Sequence, residues 1–448
     1  MNSFSNIIEI INQFLWFFPM PAILMGTHIY FTIKLGFIQK YIPRGIRMSF
    51  SKDSTSNHGG ISPYAALATS LAATIGTGNI IGISTAIAIG GPGAIFWCWI
   101  TGVIGIATCY SECFLSVRYR KKLPDGTFTG GPMYILKYVL NKKSMAVLFA
   151  LFTVFASFGI GSSVQSHSIY SALSGHLTVS PHIIGILLAI LAGFVIMGGV
   201  SQISKVCTYL VPIMSLLYIG GCFYLLCLNH SYLCRSILLI FQSALAPDSI
   251  VGGFSGAVIT SGFRIGISKG LFTNEAGLGS IPMTAAAANT KSPQKQGLIS
   301  MTGVFWDTVV MCAITGIVIV SSILKTPSAY DGIHADRLCF IAFSQLPFGG
   351  ESILALSLIL FAFATIIGWN YYGECSMKFL INDCNLKHLK GRRGITLYQF
   401  TYLIFIYLGT TMSLNFVWNL SDLLNSFMVI PNLICLWLLK DKIQPYTK

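Results

Sequence analysis

Charge is what this sequence has least of. Only 9% of its 448 residues are charged and only 14 are acidic, whereas 54% are hydrophobic. A soluble globular domain is about one-quarter charged, so most of this chain does not belong in water. Metal and disulfide frameworks are also missing. The eight histidines show no zinc-ligand spacing. The twelve cysteines are scattered, and Cys98, Cys109, Cys222 and Cys312 fall in apolar stretches. Cys109 and Cys113 lie one helical turn apart, where packing is the expected role. No Gly-Lys-Ser/Thr follows the glycine-rich stretches, which excludes a phosphate loop. Ser280 has no histidine near it in sequence, so no catalytic constellation is apparent. Residues 1–37 lack a basic start and a small-residue cleavage site; their apolar stretch reads as a retained span, not a signal peptide.

What the chain has is apolar length. A hydrocarbon layer about 30 Å thick takes about 20 apolar residues per helix. Eleven such segments run near 13–36, 62–89, 93–117, 145–166, 182–200, 206–228, 253–290, 297–323, 351–381, 396–412 and 414–438. The net charge of +14 does not suit nucleic-acid binding, because so apolar a chain offers little aqueous surface. It suits cytoplasmic loops. Lys40, Arg44, Arg47 and Lys52 follow the first span; Arg118, Arg120, Lys121, Lys122, Lys142 and Lys143 the third; Lys205 the fifth; Lys291 and Lys295 the seventh. Lys387, Lys390, Arg392 and Arg393 follow the ninth, and Lys440, Lys442 and Lys448 close the chain. The opposite loops hold little beyond Arg235, Lys325 and Arg337. The alternation predicts an N-terminus outside and a C-terminus in the cytoplasm.

Two spans are flawed alike. The second carries Gly76-Thr77-Gly78-Asn79, and the seventh carries Asn274-Glu275-Ala276-Gly277-Leu278-Gly279-Ser280-Ile281-Pro282. Glycine and proline weaken a helix and free backbone polar groups, which lipid cannot satisfy. Breaks five spans apart suit a five-plus-five inverted repeat, and paired breaks of this kind point to a transporter's binding site. The expected organisation is a peripheral helix and loop at 1–60, repeats at 61–228 and 229–438, and a tail at 439–448.

At the first break the backbone N–H groups of Thr77 and Gly78 suit a carboxylate at a half-helix N-terminus; the competing role for these glycines is tight helix packing. Glu275 is an ionisable residue at membrane depth, a functional position by default. Arg264 and Lys269 have two roles open, pairing with Glu275 or an outer gate, with interfacial snorkelling as the alternative. Asn274 both donates and accepts, which suits a zwitterion. Ser162, Gln165 and Ser166 share a helix face, and so do Phe361, Thr365 and Trp369; Asp307 and Thr308 lie inside the eighth span. A hydroxyl beside freed carbonyls can ligate sodium, though buried threonines often bond back to their own helix. His167 reads as helix-end packing. A channel needs repeated pore rings, which single paired breaks do not resemble.

Five stretches resemble the alanine or glycine:cation symporter family. They are Gly76-Thr77-Gly78-Asn79 with Gly90-Gly91-Pro92-Gly93-Ala94; Gly130-Gly131-Pro132-Met133-Tyr134; the block from Gly270 to Ser280; Gln296-Gly297 through Gly303-Val304-Phe305-Trp306-Asp307-Thr308; and Gly368-Trp369-Asn370-Tyr371-Tyr372-Gly373-Glu374. The resemblance implies an all-α polytopic membrane protein with a LeuT-like fold: ten core helices plus one peripheral N-terminal helix. It implies sodium- or proton-coupled uptake of alanine, glycine or D-alanine across a bacterial plasma membrane by a monomeric unit without a cofactor. Carried onto this chain, Ala72, Ile75, Phe361, Ala364 and Thr365 surround sodium. Thr77, Gly78, Gln165, Phe272, Asn274 and Trp369 close the amino-acid pocket. Thr74, Asn79 and Asp307 mark a second cation position. Position 364 is alanine where relatives often carry a hydroxyl, which removes one oxygen and leaves Thr365.

Overall fold

A computed structural model describes residues 2–51, 60–123, 126–175, 178–245, 255–330, 332–347, 349–384, 391–412 and 414–446. Lys52, Lys387, Lys390, Lys448 and the first two residues of the seventh predicted segment lie outside them. The helices, in order, are α1 (Asn2–Phe17), α2 (Pro19–Lys34), α3 (Ile42–Ser49), α4 (Pro63–Thr74), α5 (Ile81–Gly90), α6 (Gly93–Arg118), α7 (Pro132–Tyr138), α8 (Lys143–Ser174), α9 (Pro181–Ile196) and α10 (Gly199–Leu228). Then follow α11 (His230–Leu245), α12 (Ser255–Asn274), α13 (Ile281–Ala287), α14 (Pro293–Lys325), α15 (Leu338–Ser344), α16 (Gly350–Asp383), α17 (Arg392–Thr411) and α18 (Leu414–Leu438). A two-stranded hairpin, β1 (Lys121–Lys122) with β2 (Phe128–Thr129), is the sheet among the described residues.

Among the described residues, seven helical stretches are long and apolar enough to cross a membrane: Ile7–Lys34, α6, α8, α10, α14, α16 and Trp418–Leu438. The pair α4 and α5, bent by 59°, makes an eighth. The eleven predicted segments all contain helix, but three fall short of that test for physical reasons. Helix α9 has 16 residues, about 24 Å at 1.5 Å per residue. Helix α17 starts with Arg392-Arg393 and carries four threonines. The seventh segment is split into α12 and α13. Sequence reading missed the short helices α3, α7 and α15, the hairpin, and α11 at the start of the second predicted repeat.

The broken spans run antiparallel and are pinned at both ends. At one end Ile61 N donates to Ala287 O (3.2 Å) and Asn289 N donates to Ile61 O (2.8 Å), so the start of α4 meets the end of α13. Arg120 Nη1 donates to Ala286 O and Ala288 O at the same place, 3.2 and 2.6 Å away; a cation belongs at the carbonyl end of a helix. At the other end, a Cβ on Gly90 would stand 3.0 Å from Gly262 Cα, so the end of α5 meets α12. Helix α16, 34 residues long, passes behind both breaks with Phe361, Thr365, Trp369 and Tyr372 buried. The outer helices show the opposite pattern. Ile183, Ile190 and Phe194 of α9 and Ile213, Leu216 and Phe223 of α10 are exposed, an apolar face of the size that lipid covers.

Two long helices widen locally to π geometry, α8 at Ser157–Ser163 and α14 at Phe305–Cys312. Such wide turns concentrate at functional sites, and both lie beside the breaks.

Candidate functional site

The first break begins where α4 ends. Ile75 N makes the last α-type bond, to Leu71 O at 2.8 Å. Gly76 is extended, and a single 3₁₀ turn, Thr77–Asn79, leads into α5. Asn79 holds this turn: its Oδ1 accepts from Gly76 N (2.9 Å), and its Nδ2 donates to Asp307 Oδ1 (2.8 Å) and Asp307 O (3.1 Å). The other oxygen of Asp307 accepts from Thr308 Oγ1 at 2.7 Å. The wide turn of α14 thus grips the first break. Of the residues expected at a second cation position, Asn79 and Asp307 are therefore joined to each other, while Thr74 Oγ1 lies 3.5 Å from Leu71 O of its own helix.

Oxygens gather where the first break meets α16. Thr365 Oγ1 lies 3.5 Å from Ile75 O and donates to Phe361 O at 3.0 Å. Ala72 and Ala364 are buried on the same two helices. The helices touch closely, since a Cβ on Gly368 would meet Ala73 N at 2.7 Å. Two carbonyls and a hydroxyl are hard, neutral donors of the kind that suits an alkali cation. A Cβ on Gly76 would stand 2.7 Å from Thr365 Oγ1 and 3.7 Å from Gln165 Oε1, so glycine there keeps this corner open and places Gln165 in it. Gln165 Nε2 donates to Ile160 O (3.1 Å), a carbonyl of the wide turn in α8. Gln165 Oε1 and Thr77 Oγ1 are buried and have no hydrogen-bond partner among the described residues. Gly78 is roomier, the nearest side-chain atom to a Cβ there being Thr273 Oγ1 at 3.5 Å.

The second break turns on left-handed backbone. Glu275 has φ 53°, Gly277 φ 91° and Gly279 φ 85°, a region that glycine enters without a steric penalty. Asn274 Oδ1 accepts from Ala276 N (3.0 Å) and caps α12. Glu275 accepts from Ser280 Oγ (2.5 Å) and from Trp369 Nε1 of α16 (3.1 Å). From α18, Asn432 Nδ2 donates to Gly277 O at 2.8 Å and to the carboxylate of Glu112 on α6.

The structure therefore brings Ile75, Phe361, Thr365, Gln165 and Gly76 to one corner, and Glu275, Ser280 and Trp369 to another. It separates others. Arg264 is exposed, its guanidinium 4.9 Å from the ring of Phe17. Eleven residues from Glu275, or about 16 Å along a helix, it is not that carboxylate's partner. Phe272 faces Trp418 of α18 with ring centroids 5.8 Å apart, and Lys269 Nζ lies 5.9 Å from both rings. His167 Nδ1 lies 3.2 Å from Gly409 O, as helix-end packing requires. Sequence reading missed Glu112, His28 and Asn432. The rule that singled out Glu275, an ionisable group at membrane depth, applies equally to Glu112.

Antiparallel broken helices inside an apolar bundle, with unpartnered polar atoms at the breaks, are the arrangement in which secondary transporters hold their cargo. The architecture is that of a known class: the structure of MhsT in complex with L-phenylalanine matches with a TM-score of 0.62 at 16% identity, over 87% of this chain and 91% of that one, which makes the fold LeuT-like. Among sequences, the sodium/alanine symporter AgcS of Methanococcus maripaludis is 42% identical over 452 residues, covering 99% of this chain and 97% of that protein. The probable sodium/glutamine symporter GlnT of Bacillus subtilis is 37% identical, covering 97% and 88%. Residues 1–448 match the sodium:alanine symporter family throughout, and the chain belongs to it. It is a multi-pass membrane protein of a family of sodium-coupled amino-acid symporters.

Proposed function

We propose that the protein couples sodium influx to uptake of a small neutral amino acid, alanine or glycine, by alternating access. The observation that carries this reading is the corner at Gly76: Thr365 Oγ1 faces the oxygens of Ile75 and Phe361, and the unpartnered Gln165 Oε1 lies alongside. Sodium joins the Thr365 oxygens with carbonyls of Ala72, Ile75, Phe361 and Ala364, steadying α4 against α16. The cargo carboxylate meets Thr77 and Gly78, and its ammonium meets acceptors such as Gln165 Oε1. Asn274 and Trp369 complete the pocket from the side of the second break. The name of the 42% identical relative supports alanine.

The broken spans then rock, with α6 and α14, against the remaining helices. Eleven spans with the N-terminus outside and the C-terminus in the cytoplasm, arranged as two inverted repeats of five after one peripheral span, fit the loop charges, and a monomer in the plasma membrane suffices. One sodium with a zwitterion moves one net charge. An inside-negative potential of 100 mV contributes about 2.3 kcal/mol, and a tenfold sodium gradient about 1.4 kcal/mol. Together these support accumulation of roughly several hundred-fold. The test is uptake of radiolabelled small amino acids into proteoliposomes with and without a sodium gradient. Saturable, sodium-driven accumulation of alanine or glycine is expected; equal accumulation in sodium-free vesicles excludes the coupling.

A further inference from the structure

Helix α2 lies outside the ten helices of the proposed repeats, yet it reaches the second break. His28 is fully buried, with Nδ1 2.7 Å from Thr108 Oγ1 of α6. Its other ring nitrogen, Nε2, has no hydrogen-bond partner among the described residues, and neither does Nδ2 of the equally buried Asn274. Both nitrogens face one place. A Cβ built on Gly105 of α6 would stand 3.6 Å from His28 Nε2 and 3.7 Å from Asn274 Nδ2, with Ala276 Cβ at 3.4 Å. These are ordinary van der Waals separations, so the missing side chain of Gly105 leaves room for a group the size of a methyl between two polar atoms.

A buried water characteristically joins polar groups that lack other partners. A water seated here would accept from the amide N–H of Asn274 and donate to Nε2 of the Nδ1–H tautomer, whose proton goes to the hydroxyl oxygen of Thr108. Asn274 Oδ1 is already committed to Ala276 N, so such a water would fix the amide from its other end and, with it, the first turn of the break.

We propose that His28 is a positioning residue for the cargo site: through one water seated beside Gly105 it holds the side chain of Asn274, and the peripheral first span thereby shapes the break between α12 and α13. This rests on the reading of Asn274 as part of the cargo site. The test is the kinetics of alanine uptake by the full chain in proteoliposomes. Gly105→Ala puts a methyl where the water sits, at distances the fold tolerates. It and His28→Ala should each raise KM about fivefold with little change in maximal rate per folded transporter. His28→Gln, which returns a polar amide near the position of Nε2, should recover most of the loss. The double variant should be no worse than either single one, because both remove the same link. An unchanged KM in Gly105→Ala, or losses that multiply in the double variant, overturns the proposal. Should His28→Ala fail to fold, Gly105→Ala and His28→Gln carry the test alone. Asn274→Ala separates the two readings. If it leaves KM unchanged, the cargo role of Asn274 falls and the proposal with it; if it raises KM while Gly105→Ala does not, only the link through His28 falls.

Discussion

At the first break the backbone stays in ordinary extended and 3₁₀ geometry, and side chains do the holding: Gly76 sits at φ −140°, and Asn79 ties Gly76 N to Asp307. At the second, three residues of positive φ, Glu275, Gly277 and Gly279, turn the chain, and partners from α6, α16 and α18 clamp it. The difference assigns different jobs. The first break is conformationally undemanding and exposes oxygens to α16, so its glycine serves the site. The second demands glycine for its own shape, so its glycines serve the fold.

The sharpest way to break this contrast is the same substitution on both sides. Gly279→Ala places a Cβ in left-handed backbone, 2.8 Å from Pro132 Cγ and 2.9 Å from Asn432 Cγ. Left-handed strain and overpacking together cost about 3 kcal/mol, so folded protein and its melting temperature in detergent should fall steeply. Gly76→Ala has an allowed φ and meets chiefly Thr365 Oγ1. It carries an overpacking cost of about 1–3 kcal/mol without the left-handed strain, so it should melt below wild type but above Gly279→Ala, while sodium-driven uptake is lost. Equal melting temperatures for the two variants would erase the distinction.

Thr365→Ala tests the oxygens of the first break. Losing a hydrogen-bonding group to a charged ligand costs about 1.5–3 kcal/mol, so half-maximal uptake should need at least roughly tenfold more sodium, and Thr365→Ser should behave almost as wild type. A sodium titration that does not move removes Thr365 from the cation site. On the other side, Glu275→Gln keeps an acceptor for one of its two partners, Trp369 Nε1 and Ser280 Oγ. Losing the other bond costs about 1 kcal/mol, visible as a small drop in melting temperature. A drop as large as that of Gly279→Ala would mean that the carboxylate, and not the glycine, shapes the turn. The smallest effect belongs to Arg264→Ala. With the guanidinium exposed over Phe17, a cation–π contact of about 0.5–1 kcal/mol is at stake, and uptake should stay within about twofold of wild type.

Both breaks were legible because glycine clusters interrupt apolar runs that lipid would otherwise keep helical, and the 59° bend between α4 and α5 falls where Gly76-Thr77-Gly78 stands. Gln165 and Thr365 were legible as polar residues on buried faces. The wide turns at Ser157–Ser163 and Phe305–Cys312 were not, because one extra residue in a helical turn leaves the apolar pattern almost intact. Pairing with Glu275 was one of the roles left open for Arg264; the two stand eleven residues apart, with Glu275 beyond the end of α12, farther than the three or four residues over which charges along a helix meet.

The order of residues alone determined that the chain lives in lipid, that it is helical, where two of its helices lose their winding, and which family it belongs to. These are local matters of apolar length, glycine and backbone solvation. Only the tertiary structure decided which polar atoms meet. Asn79 reaches Asp307 across 228 positions of sequence and Trp369 reaches Glu275 across 94, because each pairing depends on where separate helices cross, and buried polar groups take whatever partner that crossing brings within reach.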